Sequence, residues 1–173
     1  MIKEATGLIT PSTENIPEQL TDRPQWVCWR LETRDGKPTK VPYTPGTERR
    51  ASTSDLMTWA TFKEALAAYT AGELAYDGIG FVFCSADPFV GIDLDRCRNT
   101  ESGEVAPWAQ SIISRVQEGY VEVSPSGTGV PIIVEGTARG GGTRKKVRLK
   151  GQVVGEIEMY GHGRFFTVTG EAL

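Results

Sequence analysis

The stretch "FVGIDLDRCR", Phe89 to Arg98, places Asp93 and Asp95 inside an apolar run. Ionised carboxylates enter a core only with a partner. Alternate residues of a strand face the same side, so these two side chains point together, with α-carbons about 6.6 Å apart. Like charges at that distance repel by roughly 3 kcal/mol at an effective dielectric near 20. A divalent cation would remove the repulsion. Both carboxylates could hold one Mg²⁺ or Mn²⁺, or bridge two ions about 3.5–4 Å apart. On "DLD" alone a plainer account stands level: Asp95 caps a turn and Asp93 pairs with an arginine, and Arg96 and Arg98 follow at once.

Three further groups bear on the choice. "GEIEMYGHGRFF" carries Glu156 and Glu158 on one face of another apolar strand, so either could complete an acidic set if that strand lies beside "GIDLD". "SPSGTG", Ser124 to Gly129, joins two strands. Its small and hydroxyl residues would let backbone N–H groups point at a phosphate, although a hairpin loop alone would read the same way. Arg164 follows the "YGHG" turn, where it could clamp that phosphate. Finally, "RGGGTRKKVRLK" (Arg139 to Lys150) has six basic residues and no acid in a chain of net charge −3. Such a run is either a solvated hairpin or a local anion site; the contrast with the rest of the chain favours the anion.

The elements needed to hold these groups are legible. "QWVCWRLET" is rich in strand formers and "RDGKPT" reads as a turn. "TWATFKEALAAYTAG" spaces Trp59, Phe62, Leu66 and Tyr69 on one helical face; Thr58 is a possible N-cap, Thr61 with Glu64 a capping box one turn on, and Gly72 a C-terminal stop. "GIGFVF" and "FVGIDLD", linked by "CSADP", predict an antiparallel hairpin. "APWAQSIISRVQ" predicts a second helix, and "YVEVS", "VPIIVEG", "VVGEIEMY" and "RFFTVTG" predict strands. The first fifteen or so residues are polar and are expected to be loose. The class is α+β, an antiparallel-rich sheet with two helices. No apolar run approaches the roughly 18 residues of a membrane span, and the start lacks a signal-peptide core. Three cysteines without a CxxC pair, Cys28, Cys84 and Cys97, read as reduced thiols of a cytoplasmic protein and as small core residues.

Taken together, these segments resemble the primase-polymerase domains of phage and plasmid replication proteins, in the archaeo-eukaryotic primase superfamily. "KPTKVPYTP", "TWATFKEALAAY", "DGIGFVF", "VGIDLDRC", "YVEVSPSGTGVPIIV" and "EIEMYGHGRFFTVTG" occur in that family's order from Gln25 onward. The resemblance implies an RRM-like catalytic core with a small N-terminal α/β part, residues 21–173 after a loose segment 1–20. It implies template-directed nucleotidyl transfer with two Mg²⁺ or Mn²⁺ ions on Asp93, Asp95 and Glu158. It also implies that Ser124, Ser126, Gly127, Thr128, Gly129 and Arg164 meet the phosphates of an NTP or dNTP. Lys40 lies in a matching segment and is grouped with them. Arg144, Lys145, Lys146 and Arg148 are expected on a single-stranded or primed DNA template. Such domains usually continue into helical and helicase regions, so a helicase partner and an N-terminal fragment of a larger replication protein are expected.

One position departs from the pattern. The family usually shows a histidine two residues after the last glycine of "SGTG"; here Pro131 stands there. Proline has neither a side-chain donor nor a backbone N–H. A lost donor to a transferring phosphate can cost roughly 2.7–4 kcal/mol. That leaves a second expectation: a weakened or inactive module that still binds nucleotide or single-stranded DNA. A carboxylate-only nuclease is a third.

Overall fold

The computed structural model describes residues 7–138 and 142–173. Among the described residues nine strands and three α-helices follow one another: α1 (Glu18–Thr21), β1 (Trp26–Arg34), β2 (Lys37–Tyr43), α2 (Phe62–Ala71), β3 (Gly78–Phe83), β4 (Phe89–Asp95), α3 (Pro107–Ile113), β5 (Gly119–Val121), β6 (Val130–Glu135), β7 (Thr143–Leu149), β8 (Gln152–Tyr160) and β9 (Arg164–Val168). They form two antiparallel sheets, ordered β2-β1-β3-β9 and β5-β6-β4-β8-β7, so the class is α+β.

Local chemistry accounts for the boundaries. Asp35 and Gly36 both take positive φ, 50° and 72°, as a two-residue hairpin between β1 and β2 requires. Thr61, not Thr58, caps α2: Glu64 N–H donates to its hydroxyl, and Glu64 accepts from Thr61 N–H in return. Trp59 therefore precedes the helix, its indole donating to Ser52 O at 2.7 Å. Gly72, at φ 70°, ends it.

The expected β3–β4 hairpin does not form. Both edges of β3 are taken, by β1 and β9, so β4 crosses to the other sheet between β6 and β8. Asp87 makes the crossing, accepting from Cys84 N–H and Phe89 N–H, with Gln25 donating to the same carboxylate. Because β9 returns from the far end of the chain to complete the first sheet, the two sheets interlock.

Two apolar cores follow. One lies around Trp26, Phe81, Phe83 and Phe166 and reaches Phe89 and Tyr160 of the second sheet. The other joins Leu94, Val130 and Ile132 to Ala109, Trp108 and Ile112 of α3. Leu94 thus faces the helix, and its neighbours Asp93 and Asp95 face the opposite way. The segment expected to be loose is tied down from Ile9: Ile9 N–H donates to Pro125 O, Ser12 N–H to Thr169 O, and Ile16 and Leu20 are buried. Residues 1–6 and Arg139 to Gly141 lie outside the described residues. Among those described, no helix is long and apolar enough to cross a membrane.

Candidate active site

Strand register puts the acidic groups in one place. Asp93 lies opposite Glu158 and Asp95 opposite Glu156, while the next strand sets Arg144 opposite Glu158 and Lys146 opposite Glu156. Directly opposed residues of a sheet share a face. On the other side of β4, Pro131 stands opposite Asp93. Asp93, Asp95 and Glu158 border a pocket of about 340 Å³, shared with Lys40, Ser124, Ser126, Pro131, Arg144, Tyr160, Arg164 and residues 165–167.

The charges in this pocket are unequally compensated. Among the described residues Asp93 and Asp95 enter no ion pair, so the arginine-paired alternative for Asp93 is not what the fold builds. Burial, then the charge of Asp95, pushes the Asp93 carboxyl up to about 7, with Lys40 pulling the other way. Asp95 is raised as well, by burial and then by Glu158. Glu156 is buried and held below the usual carboxylate range by Arg144, whose Nε and Nη2 donate to its two oxygens at 2.8 and 2.7 Å. Glu158 takes the Arg144 guanidinium at 2.8 Å on Oε1 and the Tyr160 hydroxyl at 2.9 Å on Oε2. Lys40 is exposed as a whole residue, with its ammonium 3.4 Å from Thr167 Oγ1 and 5.8 Å from the Trp29 ring centre. Protein around that ammonium lowers its pKa, against the pull of Asp93, Asp95 and Glu122.

The donor set fits a hard divalent cation: oxygen ligands only, two of them mutually repelling and unpaired. Among the described residues no three such side chains are already drawn into a ligating cluster, and Glu158 is engaged by Arg144 and Tyr160.

The glycine-rich loop sits at the pocket's edge. Ser124, Pro125, Ser126 and Gly127 form a turn closed by Gly127 N–H donating to Ser124 O at 2.8 Å, with the serine, proline and glycine where a β-turn prefers them. Gly127, at φ 76°, needs the freedom of glycine. Ser124 Oγ is occupied inside the loop, accepting from Gly129 N–H at 3.0 Å. Ser126 and Thr128 are exposed, their hydroxyls 2.9 Å apart. Arg98 Nη1 donates to Gly127 O, and the N–H groups of Cys97 and Arg98 donate to Thr128 O, fixing the loop to the end of β4. The Cys97 thiol is buried and pushed up to about 11 by that burial, as befits a packing residue.

Other groups fall differently. Arg164 borders the pocket with its guanidinium 4.8 Å from the centre of the Tyr160 ring. His162 is exposed in the preceding turn and lies outside the pocket lining. Of the basic run, Arg144 is committed to Glu156 and Glu158, Lys145 shares the opposite face with Ile157, and Lys146 and Arg148 are exposed on the edge strand β7. Pro131 fits a middle strand because its carbonyl accepts from Glu122 N–H. Its missing donor therefore falls on the β5 side, where pairing has ended at Val121. Sequence reading missed Tyr160 and Glu122. Tyr160 follows Glu158 by two and so shares its face; Glu122, alternating with Tyr120 in "YVEV", gave the same kind of signal.

Fold and pocket define an α+β domain with an acidic centre between a hydroxyl-bearing loop and a basic edge strand. No protein-family model matches the chain. A DNA primase-polymerase of Nitratiruptor phage NrS-1 does match, with 36% identity over 149 residues, 85% of this chain and 19% of that protein. The match bears out the resemblance to a phage primase-polymerase domain, and the chain spans about a fifth of the length of the relative it matches.

Proposed function

We propose that this chain carries the nucleotidyl-transfer site of a DNA primase-polymerase working in phage or plasmid replication. The observation that carries the reading is the pairing of Asp93 with Glu158 across β4 and β8, with Asp95 beside them. In the reaction a primer or first-nucleotide 3′-hydroxyl attacks the α-phosphate of an incoming NTP or dNTP, and pyrophosphate leaves. Two bound Mg²⁺ or Mn²⁺ ions would supply activation of the attacking oxygen and charge stabilisation at the leaving one.

The chain's residues orient the rest. Asp93, Asp95 and Glu158 would hold the ions. The Ser126 and Thr128 hydroxyls, with backbone of the Ser124–Gly129 loop, would receive the triphosphate from one side, and Lys40 and Arg164 from the other. Lys146 and Arg148 would track template phosphates along the edge strand, which makes binding salt-dependent. A replicative helicase is the partner such a domain would serve, in the cytoplasm of a bacterial or phage-infected cell. The test is primer extension with Mn²⁺ and dNTPs: Asp93→Ala and Asp95→Ala each abolish incorporation while the circular dichroism spectrum persists. Extension at the parental rate in both would refute the assignment.

Pro131 favours a second reading, a nucleotide- or single-strand-binding module with reduced chemistry, because it stands directly beside Asp93 where a donor is expected. Pro131→His separates the two. Incorporation by that variant and none by the parent supports the binding module; equal rates dismiss it.

A further inference from the structure

Arg144 was expected on DNA, yet its guanidinium lies against the acidic centre. Its contacts with the two glutamates differ in kind. Glu156 receives two hydrogen bonds, one from Nε at 2.8 Å and one from Nη2 at 2.7 Å. Glu158 Oε1 lies 2.8 Å from the same Nε. An arginine Nε carries one hydrogen, and here it points to Glu156. The Glu158 contact is therefore Coulombic and is the one that breaks first. The Arg144 side chain is 64% exposed, against 8% for Glu156 and 20% for Glu158, so the guanidinium can shift outward without disturbing the core. Glu158 Oε2 is meanwhile fixed by the Tyr160 hydroxyl, which leaves Oε1 as the oxygen facing Arg144. The register keeps Arg144, Glu158 and Asp93 in one row across three strands.

We infer that Arg144 is a displaceable counter-charge: it holds Glu158 while no divalent cation is bound, retreats onto Glu156 when one arrives, and so positions the third carboxylate. The inference rests on the reading that Asp93, Asp95 and Glu158 share a cation. It explains why Glu156, opposite Asp95, is not the third ligand: its two oxygens stay bound to the arginine throughout. It also gives Arg144 a role distinct from Lys146, which lies on the same face and is exposed.

The experiment is equilibrium binding of Mn²⁺ to the nucleotide-free chain, read as unbound ion by electron paramagnetic resonance. Arg144→Ala combined with Glu156→Gln removes the arginine and its buried partner while leaving net charge unchanged. This double variant is expected to bind Mn²⁺ about threefold tighter than the parent, the worth of one half-exposed ion-pair contact that no longer has to be broken. Arg144→Lys, whose single ammonium stays with Glu156, is expected to tighten binding too and serves if the double variant does not fold. Lys146→Ala is the charge control and should tighten binding less than either. Binding no tighter than the parent in the arginine variants, or equal tightening by Lys146→Ala, overturns the displacement. Binding that survives Asp93→Asn unchanged, or is absent from every protein, overturns the cation reading itself, and the displacement with it.

Discussion

Two carboxylates flank Pro131 in the second sheet, and they are handled in opposite ways. Glu122 is 2% exposed and fully partnered: Thr169 N–H, Gly170 N–H and the Tyr120 hydroxyl all donate to it, at 2.8–3.0 Å. Asp93, one strand over, has no ion-pair partner among the described residues and faces Asp95 and Glu158. A buried carboxylate with both oxygens hydrogen-bonded is a structural tie between the segment after β5 and the chain after β9. One left repelling its neighbours beside an open pocket carries a charge conflict that the proposed cation would relieve. The contrast lies in partners, since both groups are pushed upward by burial.

The comparison breaks most sharply at Glu122. Glu122→Ala strands three donors in the interior and should cost about 3 kcal/mol, lowering Tm by roughly 10 °C. The folded fraction should still bind Mn²⁺ as the parent does. An unchanged Tm in thermal denaturation would make Glu122 no tie at all.

Asp93→Asn should act in the other direction on stability. The folded-state pKa of Asp93 is raised from 3.8 to about 7, so the folded chain holds the proton more tightly than the unfolded one. Below pH 4 this favours folding; as pH rises through 7 the advantage is lost and the ionised carboxylate strains the fold. Without divalent cations, Asp93→Asn should therefore be more stable than the parent at pH 8, with the difference closing near pH 4. The gain is on the order of 1–2 kcal/mol, less than the full shift because solvent reaches the carboxylate. Urea unfolding at the two pH values checks it. A variant less stable than the parent at pH 8 would mean that Asp93 is a satisfied structural group like Glu122.

A smaller effect sharpens the framing of the site. Gly91, two residues before Asp93, would place a Cβ 2.6 Å from Phe166 and 2.7 Å from Phe83. Gly91→Ala should cost about 1–3 kcal/mol through overpacking and weaken Mn²⁺ binding by shifting β4. Calorimetric unfolding with parallel Mn²⁺ titration reads both.

Much of this arrangement was legible in the chain. The bounds of β3 and β4 follow from short apolar runs ending at turn residues, and the α2 cap follows from Thr61 and Glu64. The grouping of Asp93 with Asp95 follows from strand period alone. Pairing was not legible. "CSADP" looks like a hairpin link, and only the occupation of both β3 edges sends β4 to another sheet. For the same reason Arg144 read as part of a free basic run: its fate depends on the register of β7 against β8, which period and composition leave open. Glu156 and Glu158 were equivalent by period, and their difference arises from which one receives the arginine's hydrogen bonds.

The central claim is that Asp93, Asp95 and Glu158 share a divalent cation beside the Ser124–Gly129 loop. Anomalous diffraction from crystals grown with Mn²⁺ and a dNTP tests it most directly. The account predicts manganese peaks between Asp93 and Asp95, Glu158 ligating one of them, and triphosphate density against Ser126 and Thr128. Manganese absent from that pocket while bound elsewhere, or Asp93 and Asp95 turned away from it, would contradict the account.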